Sequence, residues 1–451
     1  MEQVEVAVVG GGPAGSSAAW TAADAGANAV VFEKGVPRED RPHPGPDSTD
    51  AAGLLDYWVD IMGFEPEDIP EEVILREITG AKFIGPSESM AMSETGIQST
   101  YPSFGLAFDR AAFDDWLREE SEAAGASYRV GDAVVDVETD LDGREPTHTL
   151  TLASGDQFRA ESLVLADGPQ RTVTIDTLDQ FTPPDRRMAD LLDPSAVNHI
   201  AYQEHRRVPA GLAGSSRLRF WWGHMPGHTA YPWVFPNDGD IARIGLTMPI
   251  GLDIDEFDRE AWPLLEPEDE RIPRGEVYLR RLIEHEYPAY DIDEMPLVED
   301  RGKQGGTETY AISSTRPIES PTAANIAVVG GAMGGTSAFH EGGDHVAVRT
   351  GKIAGELAAT GRLQEYNDAW QDALDSELYR NVAVAEMVEG YGPDDWDRAF
   401  SVGNALTGGS RVRGAFRSGR PGVKLLWQYK RASRRYANGG YVQFHEGEYG
   451  V

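Results

Sequence analysis

Two stretches of the 451-residue chain combine residue types at spacings that chemistry requires. The first is Gly10-Gly11-Gly12-Pro13-Ala14-Gly15 followed, after an apolar run, by Glu33-Lys34. In such a G-x-G-x-x-G array the first glycine permits a tight turn. The second lets a pyrophosphate approach the backbone, and the third lets a helix pack closely on the preceding strand. A carboxylate about twenty residues on accepts the ribose hydroxyls and disfavours a 2′-phosphate, so the chemistry indicated is tight binding of a dinucleotide other than NADP. The second stretch is Tyr231-Pro232-Trp233-Val234-Phe235-Pro236, whose aromatic side chains alternate on one face of a strand. Such a face is either the core of a buried sheet or the wall of an apolar cavity.

The elements needed to position these residues are legible around them. Val4–Val9 reads as a buried strand, Ser16–Ala25 as a helix and Ala29–Phe32 as a second strand, which is the βαβ context the glycine turn requires. Residues 35–95 are rich in Pro, Asp and Glu with few repeating apolar positions apart from a helical stretch at Ala51–Met62, and are read as a long excursion over the ligand. Asp109-Arg110-Ala111-Ala112-Phe113-Asp114 opens an amphipathic helix that ends at Gly125. Ser162–Ala166 is an apolar strand running into Asp167-Gly168. From 172 to 301 the pattern changes to alternating stretches, notably Arg217–Trp222 and Ile241–Thr247, expected to be antiparallel strands. A last strand, Asn325–Val329, enters the glycine-rich segment Gly330–Gly335, followed by a helix at Asp344–Ala358 and a largely helical tail.

Composition narrows the function classes. The 75 acidic against 40 basic residues give a net charge of −35, which argues against nucleic-acid binding. Only six of the basic residues are Lys, and an acidic, Lys-poor surface suits solubility in concentrated salt. The absence of Cys excludes disulfides, thiolate nucleophiles, Cys-ligated zinc and iron–sulfur clusters, and no set of metal ligands is recognised. No apolar run reaches the length of a membrane span, and the acidic N-terminus is unlike a signal peptide, so a cytoplasmic location is expected. Against the acidic background, Arg411, Arg413, Arg417, Arg420, Lys424, Lys430, Arg431, Arg434 and Arg435 are interleaved with Phe416, Leu425, Leu426, Trp427 and Tyr429. Two readings stay open, contact with an anionic membrane and docking on the protein's own acidic surface.

The spaced set of Gly10-x-Gly12-x-x-Gly15 with Glu33, Asp109-Arg110-x-x-Phe113-Asp114, Ala166-Asp167-Gly168 and Gly330-Gly331-Ala332-Met333-Gly334 resembles the FAD-binding fold of the para-hydroxybenzoate hydroxylase superfamily. Within it, Tyr231–Pro236 resembles the Y-x-W-x-F-P segment of the geranylgeranyl reductase family. The resemblance covers residues 1 to about 360 and implies an α/β (overall α+β) fold: a Rossmann-like FAD-binding domain (1–171 and 302–360), an inserted antiparallel-sheet substrate domain (172–301) and a helical C-terminal region (361–451). It implies FAD held by Gly10, Gly12, Ala14, Gly15, Glu33, Lys34, Arg110, Asp167, Gly168, Gly331, Gly334, Gly342 and Gly343, with the helix from Asp344 directing its positive end at the flavin. It further implies a substrate pocket lined by Tyr231, Trp233 and Phe235, and proton donation by Tyr231, His340 or Glu341. The implied activity is saturation of the geranylgeranyl chains of ether lipids in a haloarchaeal cell, with NAD(P)H or ferredoxin as electron donor. The implied partners are an isoprenoid lipid, a membrane met peripherally, and a redox partner.

Three departures from the family pattern carry expectations of their own. Gly331 replaces an Asp that holds a ribityl hydroxyl, which predicts weaker FAD binding. Ser337-Ala338 replaces Asn-Pro. The loop Pro42-His43-Pro44-Gly45-Pro46-Asp47-Ser48 lacks the Cys found in archaeal relatives, which excludes a mechanism through that thiol. Two alternatives share the motifs: an aromatic monooxygenase, and a prenyl-lipid carrier without redox chemistry.

Overall fold

Val6 to Val9 are all buried, as befits a central parallel strand covered by helices on both faces. This strand, β1 (Glu2–Val9), pairs in parallel with β2 (Ala29–Glu33) and β11 (Gln157–Leu165). The computed structural model of the protein describes residues 1–41, 45, 53–192, 198–407 and 420–451. The first sheet runs β8 (Ser127–Val130), β2, β1, β11, β10 (Thr147–Leu152), β9 (Val134–Asp140). β17 (Ile326–Val328) lies parallel to the C-terminal part of β11. The helix α1 (Pro13–Asp24) starts on Gly12 with Pro13 at its first position, where the missing N–H costs nothing. It packs on α8 (Asp344–Ala359), with Gly351 against the carbonyl of Ala14 and Gly355 against that of Ala18. The helix α3 (Arg110–Ala124) is capped by Asp109, whose carboxylate accepts from the N–H groups of Ala111 and Ala112 at 3.0 and 3.1 Å.

The second sheet runs β16 (Thr307–Ile312), β12 (His199–Arg207), β15 (Ile241–Pro249), β14 (Tyr231–Pro236), β13 (Arg217–Trp221), β5 (Gly80–Ile84), β6 (Ser89–Met92). It is antiparallel except where β5 meets β13. It therefore draws strands from outside 172–301, two of them from the 35–95 stretch, which is more than an excursion. These strands are four and five residues long, too short for alternation to separate them from loop. β3 (Gly53–Leu55), β7 (Gly105–Phe108) and β4 (Ile74–Ile78) form a small third sheet, and α2 (Asp56–Met62) follows β3. Shorter helices α4 (Thr172–Leu178), α5 (Met188–Leu191) and α6 (Ala210–Ala213) precede α7 (Gly275–Glu286). The C-terminal region is helical: α9 (Tyr366–Val388), α10 (Pro393–Thr407) and α11 (Arg420–Tyr436). Residues 42–44 and 46–48 of the loop without Cys, and Arg411, Arg413 and Arg417, lie outside the described residues. Among the described residues no helix is long and apolar enough to cross a membrane.

Candidate functional site

At the end of β1 the chain turns through Gly10, whose φ is +100°. A Cβ there would collide with the carbonyl of Ala166, and one on Gly15 would collide with the carbonyl of Gly10. Strand, turn and helix can close on each other only with glycine at both places. A Cβ on Gly12, by contrast, would meet nothing within 4 Å. That open side faces a cavity at the start of α1, where first-turn N–H groups favour an anion. The carboxylate of Glu33 accepts from the N–H of Gly11 at 2.7 Å and of Gly35 at 2.6 Å. Both oxygens are thereby oriented and each keeps a lone pair for a ribose hydroxyl. The glycine cradle and the oriented carboxylate fit the ADP portion of a dinucleotide.

The cavity has a volume of about 1520 Å³ and continues from this cradle to the aromatic strand β14. Of the residues singled out in the sequence, Gly10, Gly12, Ala14, Glu33, Lys34, Arg110, Asp167, Gly168, Gly331, Gly342 and Gly343 line it, as do Tyr231, Trp233, Phe235, His340 and Glu341. Gly15 packs inside the βα turn, and Gly334, at φ +83°, packs against Thr315 and Arg316. Neither lines the cavity. Arg110 is buried, donating to Asp114 at 2.7 Å and to Asp344, the first residue of α8, at 2.9 Å. Asp167 caps α4, accepting from the N–H groups of Val173 and Thr174 and from the Thr174 hydroxyl.

The apolar end is built by cross-strand packing. Trp233 stands opposite Gly245 on β15, and a Cβ on Gly245 would come within 2.5 to 2.7 Å of the indole. The missing side chain lets Trp233 lie over the sheet, where its N–H donates to Gln203 at 3.2 Å. Tyr231 stacks on Trp222 at 4.2 Å, Trp222 on Phe339 at 5.2 Å, and Phe220 meets Phe235 edge-on at 5.1 Å.

Three titratable candidates sit at the junction of the two ends, and their environments differ. The Tyr231 hydroxyl donates to the carbonyl of His340 at 2.9 Å, and burial pushes its pKa well above the usual tyrosine value. His340 accepts from the Gly342 N–H through Nδ1, which leaves the proton on Nε2, 3.6 Å from Glu377. Burial lowers its pKa, with Glu377 opposing, so at neutral pH the ring is uncharged. Glu341 lies in the left-handed region at φ +60°. Its carboxyl, 3 % exposed, receives the hydroxyls of Thr229 at 3.1 Å and of Thr247, and stands 3.3 Å from His199 Nε2. Burial outweighs those hydroxyls and raises its pKa to about 8. Glu341 is therefore a carboxylic acid at neutral pH. The two threonine hydroxyls can donate to its carboxylate, and one of them can accept from its acid form.

Sequence reasoning missed several members of this constellation. Thr229, Thr247 and His199 are distant in sequence and are brought to Glu341 by β12, the loop before β14, and β15. Trp58 lies flat on His345 at 4.3 Å and tilts on His340 at 5.0 Å. Glu377 on α9 gathers His340, His345, Tyr57 and Arg380. Arg171, fully buried, donates to the Gly331 carbonyl at 3.1 Å and to the hydroxyls of Ser313 and Thr315 at 3.2 Å. It ties the Asp167-Gly168 turn to the late glycine loop. No local pattern announces any of these, because each acts through a tertiary contact.

Residues 3–188 match a family model described as FAD binding domain. The chain is 26% identical over 409 residues to digeranylgeranylglycerophospholipid reductase 1 of Methanococcoides burtonii, covering 88% of this chain and 86% of that one. The crystal structure of a geranylgeranyl bacteriochlorophyll reductase-like protein from Thermoplasma acidophilum superposes with a TM-score of 0.68 at 20% identity, over 97% of this chain and 99% of that one. A flavin-dependent brominase superposes with a TM-score of 0.59 at 17% identity, over 96% of this chain and 100% of that one, so this fold also serves other flavin chemistry. The chain is a FAD-dependent oxidoreductase, related over most of its length to the geranylgeranyl reductases.

Proposed function

We propose that this flavoprotein saturates the isolated double bonds of geranylgeranyl chains in archaeal ether lipids. The observation that carries the reading is the single cavity that joins the dinucleotide cradle to an aromatic end, with a neutral carboxylic acid between them. The Gly10–Gly15 turn and Glu33 would hold FAD, with Gly331, Gly342 and Gly343 lining the same cavity, and the reduced cofactor, when bound, would provide the hydride. The chain's own contribution is to exclude water, align the alkene and supply the proton. Tyr231, Trp233, Phe235, Phe220 and Trp222 present an apolar surface that a prenyl chain fills and water does not. Glu341 delivers its acid proton to the alkene carbon, with Thr229 and Thr247 fixing its direction. Of the three proton-donor candidates, Tyr231 is pushed well above its ordinary value and His340 is lowered and uncharged at neutral pH, whereas Glu341, raised to about 8, holds its proton there, and a general acid is most effective near the working pH.

A lipid substrate is met at a surface, and α11 suits that contact. Val423 and Trp427 are exposed by 49% and 60% and lie one turn apart beside exposed Lys424, Lys430, Arg431 and Arg434, the pattern of a helix lying in an anionic interface. Arg435 instead pairs with Glu386 of α9 at 3.0 Å, which supports docking on the protein's own acidic surface at that residue, while exposed Val423 and Trp427 support the membrane reading.

The test is mass spectrometry of a digeranylgeranyl ether lipid after incubation with the chemically reduced flavoprotein. The expected product gains two hydrogens per double bond. A gain of one oxygen with consumption of O2 would assign the chain to monooxygenase chemistry instead. Lipid bound and released unchanged, without reoxidation of the flavin, would assign it to the carriers.

A further inference from the structure

On the side of the second sheet away from the flavin cavity, three groups from separate elements converge. Gly223, at φ +77°, reverses the chain after β13, so that Trp222 enters the cavity wall while His224 runs toward the C-terminal end of α7. There His285 and Glu286 close the helix. One ligand-capable atom of each of the three lies within 4.8 Å of the others. His224 Nε2 is 3.5 Å from Glu286 Oε1, and His285 Nδ1 is 3.0 Å from the same oxygen. A tetrahedral zinc site with ligand bonds of ~2.05 Å has ligand-to-ligand edges of ~3.3 Å, between these two distances.

The state of His224 points the same way. It is fully buried, and its Nδ1 faces the carbonyl of Trp222 at 3.3 Å. A carbonyl can only accept, so Nδ1 donates there and Nε2 is the nitrogen turned to the Glu286 carboxylate, the orientation in which a metal-binding imidazole is held by a backbone carbonyl. Nε2 is buried and has no hydrogen bond. It is aimed at Glu286 instead. The carbonyl of His224 accepts from the N–H of Leu264 at 3.0 Å, so the segment is held from both sides. A buried imidazole nitrogen without a hydrogen bond is costly in a purely structural role, whereas bonding to a cation would satisfy it.

We propose that His224, His285 and Glu286 bind one divalent transition-metal ion, best matched by Zn2+, which clamps the loop behind Trp222 to the end of α7. Two imidazoles and one carboxylate with an open fourth position suit zinc and its borderline-soft neighbours, and disfavour Mg2+ and Ca2+, which take all-oxygen sets. The ion braces a wall of the cavity from outside and takes no part in the flavin chemistry, so the inference stands independently of the lipid assignment.

The experiment uses the full-length, tag-free flavoprotein after dialysis against a chelator. Zn2+ is titrated by calorimetry, and Co2+ is followed by its visible absorption. The expected result is one ion per chain with a Kd of about 1 µM or tighter. Binding is expected to weaken at least tenfold in His285→Gln, a half-exposed position whose replacement spares the fold, and in Glu286→Gln. It is expected to stay unchanged in His445→Gln, an exposed histidine elsewhere. Mg2+ should not compete. Absence of one-per-chain binding at that affinity, equal binding by the His285→Gln and His445→Gln proteins, or displacement by Mg2+ would each overturn the proposal.

Discussion

Replacing Glu341 by Gln removes the acid proton while keeping the size of the side chain and an oxygen for the hydroxyls of Thr229 and Thr247, so it isolates proton delivery. Loss of a positioned general acid costs roughly 10²–10⁴ in rate. The same change should stabilise the protein. The carboxyl of Glu341 is raised from 4.5 to about 8 in the fold, so between those values the unfolded chain releases a proton that the folded one retains, and rising pH favours unfolding. At pH 7 this amounts to at most about 3 kcal/mol, being about 2.5 pH units at 1.36 kcal/mol each. Gln carries no such penalty. The Glu341→Gln protein is therefore expected to resist denaturant better than the parent at pH 7, and the difference should vanish below about pH 4.5, where both states of the parent are protonated. The rate assay is single-turnover reoxidation of the reduced flavoprotein by lipid, read at the flavin absorbance. In the parent the rate should hold on the acid side of about pH 8 and fall about tenfold by pH 9. A variant within threefold of the parent rate, a parent profile flat from about pH 6.5 to 9.5, or a stability difference independent of pH would refute the assignment.

Other outcomes follow from the same geometry. Gly15→Ala forces a Cβ into the carbonyl of Gly10 and is expected to yield protein without flavin, seen as loss of the visible absorption band. Gly245→Ala pushes a methyl group into the Trp233 indole; overpacking of this kind costs ~1–3 kcal/mol. It should raise KM for the lipid while leaving flavin content unchanged, as compared by lipid kinetics and absorbance. Replacing Val423 and Trp427 together by Ser should weaken binding to anionic vesicles by tenfold or more in a flotation assay, and leave turnover of detergent-dispersed substrate unaltered.

The sequence made the first βαβ unit legible because each of its constraints is local. Gly10, Gly12 and Gly15 act on their own neighbours, and Glu33 ends the next strand. The aromatic alternation at Tyr231, Trp233 and Phe235 was visible for the same reason, although whether it faced a core or a cavity was not. The strands β5 and β6 escaped notice because four or five residues in parallel or edge pairing carry too little periodicity. The proposed proton site was half legible. His340 and Glu341 stood out in a glycine-rich segment, but what separates them is tertiary. Glu341 meets Thr229, Thr247 and His199, whose pKa burial lowers, whereas His340 meets Glu377 from α9. Arg171 was unreadable for a related reason: its role depends on the late loop returning beside β11.

The departures from the family pattern also bear on whether the chain is an enzyme or a carrier. A Cβ on Gly331 would stand 3.2 Å from the ring and nitrogen of Pro169, so a side chain there requires the Gly168-Pro169 turn to give by a few tenths of an ångström. Arg171 holds that turn and the Gly331 carbonyl together, which makes glycine part of the local packing rather than a bare loss. Ser337, in the place of Asn, accepts from the N–H groups of Phe339 and His340 at 3.2 Å, and its backbone bonds to Gly342 and Glu341. The loop is thus held in the shape that turns Glu341 inward. That shape has a cost: a non-glycine residue at φ +60° is worth ~1–3 kcal/mol of strain, and the buried acid adds about 3 kcal/mol at pH 7. A protein that only carried prenyl chains would gain nothing from either, since an apolar side chain at 341 would fill the site without a proton. The proposed reductase chemistry, by contrast, requires a proton donor in this cavity.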